Sequence, residues 1–249
     1  MSALHFDKFL LFGDSITEFA YEQHPPTSTT TQFVFGSAIS NAYVRRLDVV
    51  QRGFAGYNTN WALKMLPKIL EQVHTPDSQV KIATVFFGTN DAALGGIQKV
   101  ELEEYKANTS NFLDLFAEIG TKVVLIGPAK HYQEPWHALK PEDVAKGIIR
   151  TNENNKIYSE AAKALAKDRG VAFVDLYTAF DTYDGDWTEL LIDGVHFTGK
   201  GYEIMYNEVM KAIRDNYPEF APENLEYKLP YWRDFNKAES FEQTLDEVI

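Results

Sequence analysis

Phe9-Leu10-Leu11-Phe12-Gly13-Asp14-Ser15 is a short apolar run that breaks into a small, polar turn. A run of this length, uniform rather than alternating, suits a strand buried on both faces, as in a parallel sheet. It is far too short for the hydrophobic region of a signal peptide, and His5, Asp7 and Lys8 precede it. Ser15 then stands just past the end of a buried strand, where a nucleophile's hydroxyl would project.

The same alternation recurs outward from that stretch. Strands are expected at Phe9–Gly13, Asp48–Gly53, Ile82–Gly88, Lys122–Gly127 and Val171–Leu176, with helical periods between them. Phe35, Ile39, Ala42, Tyr43 and Leu47 share one helix face, and Trp61, Met65 and Ile69 form another behind the capping pair Asn58-Thr59. A third helix carries Leu102, Tyr105, Phe112, Leu113 and Phe116 and stops at Gly120, while a fourth uses Ile157, Ala161, Ala164 and Leu165 and stops at Gly170. The last runs from about Gly199 to Ile213 behind Thr198, with Tyr202, Met205 and Val209 on one side. This predicts an α/β fold: a three-layer, doubly wound, five-stranded parallel sheet with its site at the carboxyl ends of the strands.

Two stretches fall outside the pattern. Residues 19–31 form a polar, proline-containing insertion, and residues 129–146 read as a long loop carrying His131, Tyr132, Trp136 and His137. Both are expected to wall a pocket. The 249 residues are expected to form one domain, 1–249, with an aromatic-rich extension at 214–249. Tyr217, Phe220, Tyr227, Tyr231, Trp232 and Phe235 in that extension should pack on their own domain or on a second copy.

A net charge of −12 opposes nucleic acid and anionic lipid as partners, and no apolar run approaches the roughly 20 residues of a membrane span. The sequence has no cysteine, which excludes disulfides and thiol nucleophiles and suits a reducing, cytoplasmic setting.

A serine hydroxyl becomes a competent nucleophile when a neighbouring base accepts its proton, and imidazole suits that role because its pKa lies near working pH. His196 is the candidate base. Asp193, three residues earlier in Asp193-Gly194-Val195-His196, turns back through a glycine-containing loop to accept from the ring nitrogen facing away from the serine. Charge developing on an attacked carbonyl oxygen calls for preorganised donors. Three are proposed: the Ser15 backbone N–H, the Gly56 backbone N–H within Gly53-Phe54-Ala55-Gly56-Tyr57-Asn58-Thr59, and the Asn90 side-chain amide within Gly88-Thr89-Asn90-Asp91. Alone, each piece also reads as ordinary turn or cap chemistry. Asp14 reads as a turn former beside the nucleophile. His5, His24, His74, His131 and His137 show no metal-ligand spacing, so neither metal nor cofactor is expected. Phe12, Phe19, Tyr57, Phe87, Trp136 and Phe197 suggest a small apolar pocket that favours short acyl groups.

Taken in order, each after a strand, Gly13-Asp14-Ser15, Gly56, Gly88-Thr89-Asn90-Asp91 and Asp193-Gly194-Val195-His196 resemble the SGNH, or GDSL, hydrolase family over about residues 8 to 215. The resemblance implies a flavodoxin-like sheet, a Ser15, Asp193, His196 triad, an oxyanion hole from Ser15, Gly56 and Asn90, and no metal. A narrower likeness lies in the run from Phe9 to Phe19, Gln51-Arg52-Gly53-Phe54, Arg150-Thr151-Asn152-Glu153-Asn154, Tyr227-Lys228-Leu229 and Trp232-Arg233-Asp234. These look like the fungal isoamyl acetate-hydrolysing esterases, which implies a homodimeric serine esterase cleaving acetate esters of small alcohols through an acyl-enzyme on Ser15. Gln51 and Phe197 depart from the asparagine and proline common there. The same machinery would serve a lysophospholipase, thioesterase or carbohydrate acetylesterase, and the fold alone would serve a non-catalytic binding module.

Overall fold

A computed structural model describes residues 5–24 and 30–233. Its strands are β1 (Lys8–Gly13), β2 (Asp48–Gly53), β3 (Val80–Phe86), β4 (Lys122–Ile126) and β5 (Ala172–Val174). Its helices are α1 (Ser15–Glu18), α2 (Phe35–Ala42), α3 (Thr59–Val73), α4 (Leu102–Glu118), α5 (Gln133–Leu139), α6 (Pro141–Ala145), α7 (Asn152–Arg169), α8 (Leu176–Asp181) and α9 (Gly199–Asn216).

The sheet runs β2-β1-β3-β4-β5, and every pairing is parallel. Alternate side chains of β1 feed two cores. Phe9 and Leu11 pack with α2, α8 and α9 on one face, while Leu10 and Phe12 pack with α3, α4 and α7 on the other. All four are fully buried, which explains why the run shows no polar alternation.

The chain moves from β1 to β2 in one direction and then crosses to β3 on the other side of β1. Loops therefore diverge between β1 and β3, the switch point at which such sheets bind ligands. Register brings the ends level: Gly13 pairs with Gly53 on one side and with Phe86 on the other. Ser15, Gly56 and Asn90 each follow within a few residues of that level. Helix α1 sits directly on the strand ends, because a Cβ on Gly13 would lie 2.0 Å from Thr17 Oγ1, and one on Gly53 would lie 2.0 Å from the Glu18 nitrogen.

The five expected strands are present, with shifted ends. β3 starts at Val80 and stops at Phe86, and Gly88 leaves the sheet with a φ of +119°. β5 is only Ala172–Val174, since Asp175 caps α8 by accepting from the Thr178 nitrogen at 3.0 Å. Two buried faces are rotated from expectation. α3 buries Ala62, Leu66, Ile69, Leu70 and Val73 and leaves Trp61 and Met65 half-buried. α7 buries Asn155, Tyr158, Ser159, Ala162 and Ala166, whereas Ile157 is 40% exposed. In α7 close approach contributes: a Cβ on Gly127, just after β4, would lie 2.5 Å from Ser159 Oγ, so a small residue is needed at that point. Residues 129–146 are not a long loop but hold α5 and α6, neither of which buries a side chain fully, so they leave no apolar period in the sequence.

The described part of the extension folds back on its own sheet and on α2. Tyr217 Oη donates to the Val123 carbonyl and accepts from the Ala172 nitrogen, both at 2.9 Å, and so joins β4 to β5. Tyr43 donates to the Phe220 carbonyl at 2.9 Å, and Arg46 to the Leu225 carbonyl at 3.0 Å. The Arg45 and Arg46 guanidinium groups lie 4.7 and 4.3 Å from the Tyr227 ring centre. Phe235 and Asp234, and Pro25, Pro26 and Thr29 of the insertion, lie outside the described residues. Among the described residues no helix is long and apolar enough to cross a membrane.

Candidate active site

Asp14 turns strand into helix. Its Oδ1 accepts from the Ile16 nitrogen at 3.0 Å, which makes Ser15 the first residue of α1 and presents its side chain at the switch point. The residue is 7% exposed. His196 arrives from the far end of the chain on a loop whose base is an antiparallel bridge between Leu191 and Phe197, with the Ile192 nitrogen donating to the His196 carbonyl at 2.7 Å.

His196 Nε2 lies 2.9 Å from Ser15 Oγ, and His196 Nδ1 lies 2.7 Å from Asp193 Oδ2. Asp193 Oδ1 accepts from the Val195 and His196 backbone nitrogens, each at 2.9 Å. Burial alone would raise the Asp193 carboxyl, but the His196 ring's hydrogen bond and charge and the two backbone donors hold it below the usual carboxylate value. An ionised Asp193 fixes the imidazole proton on Nδ1 and leaves Nε2 to accept the serine proton.

The loop carrying this pair is held from outside. The Gly194 carbonyl accepts from the Tyr132 nitrogen at 2.9 Å and from His131 Nδ1 at 2.7 Å. Because a carbonyl only accepts, His131 is the Nδ1–H tautomer, and burial lowers its pKa to about 4, keeping it neutral. Gly194 has a φ of +96°, and a Cβ there would lie 2.1 Å from the Tyr132 oxygen.

The proposed oxyanion donors follow the ends of β1, β2 and β3. Among the described residues the Ser15 and Gly56 nitrogens have no protein acceptor. Gly56, at a φ of +79°, is held on both sides: the preceding Ala55 nitrogen donates to Glu18 Oε2 at 2.5 Å, and its own carbonyl accepts from Gln98 Nε2 at 2.8 Å. The Asn90 amide is fixed at both ends. Nδ2 donates to the Tyr57 carbonyl at 2.8 Å, while Oδ1 accepts from Arg150 Nη2 at 2.9 Å and Gln98 Nε2 at 3.3 Å. The second Nδ2 hydrogen is left for a ligand.

The structure links Ser15, His196 and Asp193 by hydrogen bonds, and Gln98 links Gly56 to Asn90. Arg150, Gln98, Glu18 and His131 were not assigned roles from sequence, since nothing in their spacing ties them to the site. Gln51, one of the departures noted above, donates to the Thr17 and Glu18 carbonyls at 3.0 and 2.9 Å and so clamps α1 to β2.

The expected pocket lining needs correction. Phe19 and Trp136 do flank the imidazole, with ring centres 5.3 and 6.0 Å from that of His196. Phe197 lines a small cavity beside His196 together with Phe19, whereas Phe12 and Phe87 are buried in the core on the other face of the sheet. Sequence cannot assign an aromatic to the pocket or to the core when both lie at the same strand end. Beside Gly56 lies an open cleft of about 390 Å³ lined by Ala55, Tyr57, Trp61, Ile97 and Ile148 among others.

A twisted parallel sheet with a hydroxyl, an imidazole and a carboxylate linked at its switch point defines a class, that of hydrolases working through a serine-type site. The chain belongs to the GDSL-like lipase/acylhydrolase family, whose sequence profile matches residues 11–204, and is a carboxylic ester hydrolase. It is 44% identical over 232 residues to the isoamyl acetate-hydrolyzing esterase of Saccharomyces cerevisiae, covering 93% of this chain and 96% of that one. It is 33% identical over 246 residues to the human isoamyl acetate-hydrolyzing esterase 1 homolog, covering 95% and 91%. Among solved structures, the lipase/acylhydrolase from Enterococcus faecalis superposes with a TM-score of 0.62 at 25% identity, covering 90% of this chain and all of that one.

Proposed function

We propose that this chain hydrolyses acetate esters of short alcohols through an acetyl-enzyme on Ser15. The hydrogen-bond chain from Ser15 through His196 to Asp193, at 2.9 and 2.7 Å, carries this reading. Ser15 Oγ attacks the acetyl carbonyl carbon and its proton passes to His196 Nε2. The oxyanion that forms faces the Ser15 and Gly56 N–H groups and the Asn90 amide. Collapse breaks the ester bond, and the departing alcohol takes the proton from His196. Water then gives a proton to the same nitrogen and attacks the acetyl carbonyl, and as the bond to Ser15 Oγ breaks His196 returns that proton to the serine oxygen and acetate leaves. Asp193 stays ionised throughout and offsets the imidazolium charge.

The substrate class rests on the yeast relative, whose name specifies isoamyl acetate, together with the aromatic flanks of His196 and the modest cleft. Rates on p-nitrophenyl esters of increasing acyl length test it: activity should fall steeply beyond acetate or butyrate, whereas a flat or rising profile would identify a longer-chain acylhydrolase instead. Organophosphate treatment should leave one adduct, at Ser15. Ser15→Ala should lose that adduct and at least about 10⁴-fold in kcat. Absence of any adduct would return the chain to the non-catalytic binding reading. The proposal extends to a cytoplasmic setting, which the absence of cysteine suits, and to a homodimer, supported by the exposed Tyr227 and Trp232 of the extension. Sedimentation of the full chain and cell fractionation check those two points.

A further inference from the structure

Arg150 is 5% exposed, yet no carboxylate among the described residues pairs with it directly. Its donors go to neutral oxygens: Nη1 to the Thr89 carbonyl, and Nη2 to Asn90 Oδ1 and Gln98 Oε1, each at 2.9 Å. The Trp136 ring covers it with its centre 5.6 Å from the guanidinium carbon. Asp14, Asp91, Asp143 and Asp193 act on it only through space. A buried cation without a contacting counter-ion costs stability. Such a cost is explicable where negative charge develops during reaction, because the cation is then matched in the transition state and not before it.

We infer that Arg150 is the positioning residue of the oxyanion site, acting through Asn90. The deduction rests on the Ser15 esterase reading given above. Arg150 grips the Asn90 acceptor oxygen and the backbone carbonyl just before it, so the Asn90 amide cannot flip and must present its nitrogen to the substrate oxygen. Drawing electron density toward Oδ1 also makes the Nδ2 hydrogens stronger donors. Gln98 completes the device. Its oxygen accepts from Arg150, and its nitrogen reaches both the Asn90 oxygen and the Gly56 carbonyl, linking two of the three oxyanion donors to one cation.

A double-mutant cycle on p-nitrophenyl acetate tests this. Arg150→Met should lower kcat about 10- to 100-fold with KM changed less than about threefold, because the lost interaction is strongest in the transition state. In an Asn90→Ala background the same change should cost less than about threefold, since the residue it acts through is gone. An equal loss in both backgrounds, a loss confined to KM, or no loss would overturn the inference. If Arg150→Met does not fold, Arg150→Lys carries the cycle: it keeps the charge but lacks the planar fork, and its smaller loss should likewise vanish without Asn90. Organophosphate labelling of the unaltered enzyme separates the two proposals. No adduct at Ser15 would refute the esterase reading, whereas an adduct with an additive cycle would refute only the role of Arg150.

Discussion

Asp14 combines two properties that pull against each other. It must accept a hydrogen bond from Ile16 to set Ser15 at the head of α1, and it is wholly buried to do so. Burial pushes its carboxyl up to about 7, an effect that Ile16 and His196 offset in part and the Asp91 charge reinforces. The fold therefore favours the protonated form. Stability from this group is fully present below the unfolded carboxyl value near 4 and is lost as pH rises to about 7. Asn in its place keeps the capping oxygen and cannot ionise. Between pH 4 and pH 8 the unfolding free energy of Asp14→Asn should rise relative to the native chain by up to about 4 kcal/mol, an order-of-magnitude figure, in urea titrations. A difference independent of pH would show that Asp14 titrates normally. At this scale the sequence points to the proposed triad and is silent about side chains that act on other side chains. Ser15, Asp193 and His196 announce themselves by local turn chemistry, whereas Arg150 reaches Asn90 across 60 positions, and no local pattern encodes that contact.

Among elements, the segment between α8 and α9 depends on one glycine. Gly194 holds a left-handed conformation with Tyr132 packed where a side chain would begin. Gly194→Ala should destabilise by about 1–3 kcal/mol through backbone strain and the clash, and should lower kcat more than tenfold, on the order expected when catalytic groups shift by an ångström. Gly120→Ala is the control. It has a φ of +73° but open space around the added carbon, so it should cost stability alone. Equal kinetic effects in the two variants would show that the loop tolerates displacement. The strands were legible because uniform apolar runs bounded by glycine leave few other readings. The rotated faces of α3 and α7 were not, because Ala and Ser against a sheet carry little hydropathy signal, while Ile157 is apolar and faces outward.

For the molecule as a whole, the extension acts as a strap. Tyr217 joins β4 to β5, and the chain beyond it gives Tyr43, Arg45 and Arg46 their partners. Truncation after Pro218 leaves Tyr217 in place but removes the Phe220 carbonyl from the buried Tyr43 hydroxyl. It should destabilise by about 1–3 kcal/mol, the cost of an unsatisfied buried polar group, read as a lower urea midpoint with an unchanged slope. An unchanged midpoint would mean that the strap adds nothing. The wide separation of Ser15 and His196, 181 positions apart, has a consequence for biosynthesis. Chains emerge from the ribosome amino end first. Ser15 thus leaves the ribosome early and His196 late. On the proposed mechanism, a nascent polypeptide that ends before His196 carries Ser15 as an inert alcohol, and it also lacks the Tyr202 hydroxyl that bonds the Ile16 carbonyl at 2.7 Å.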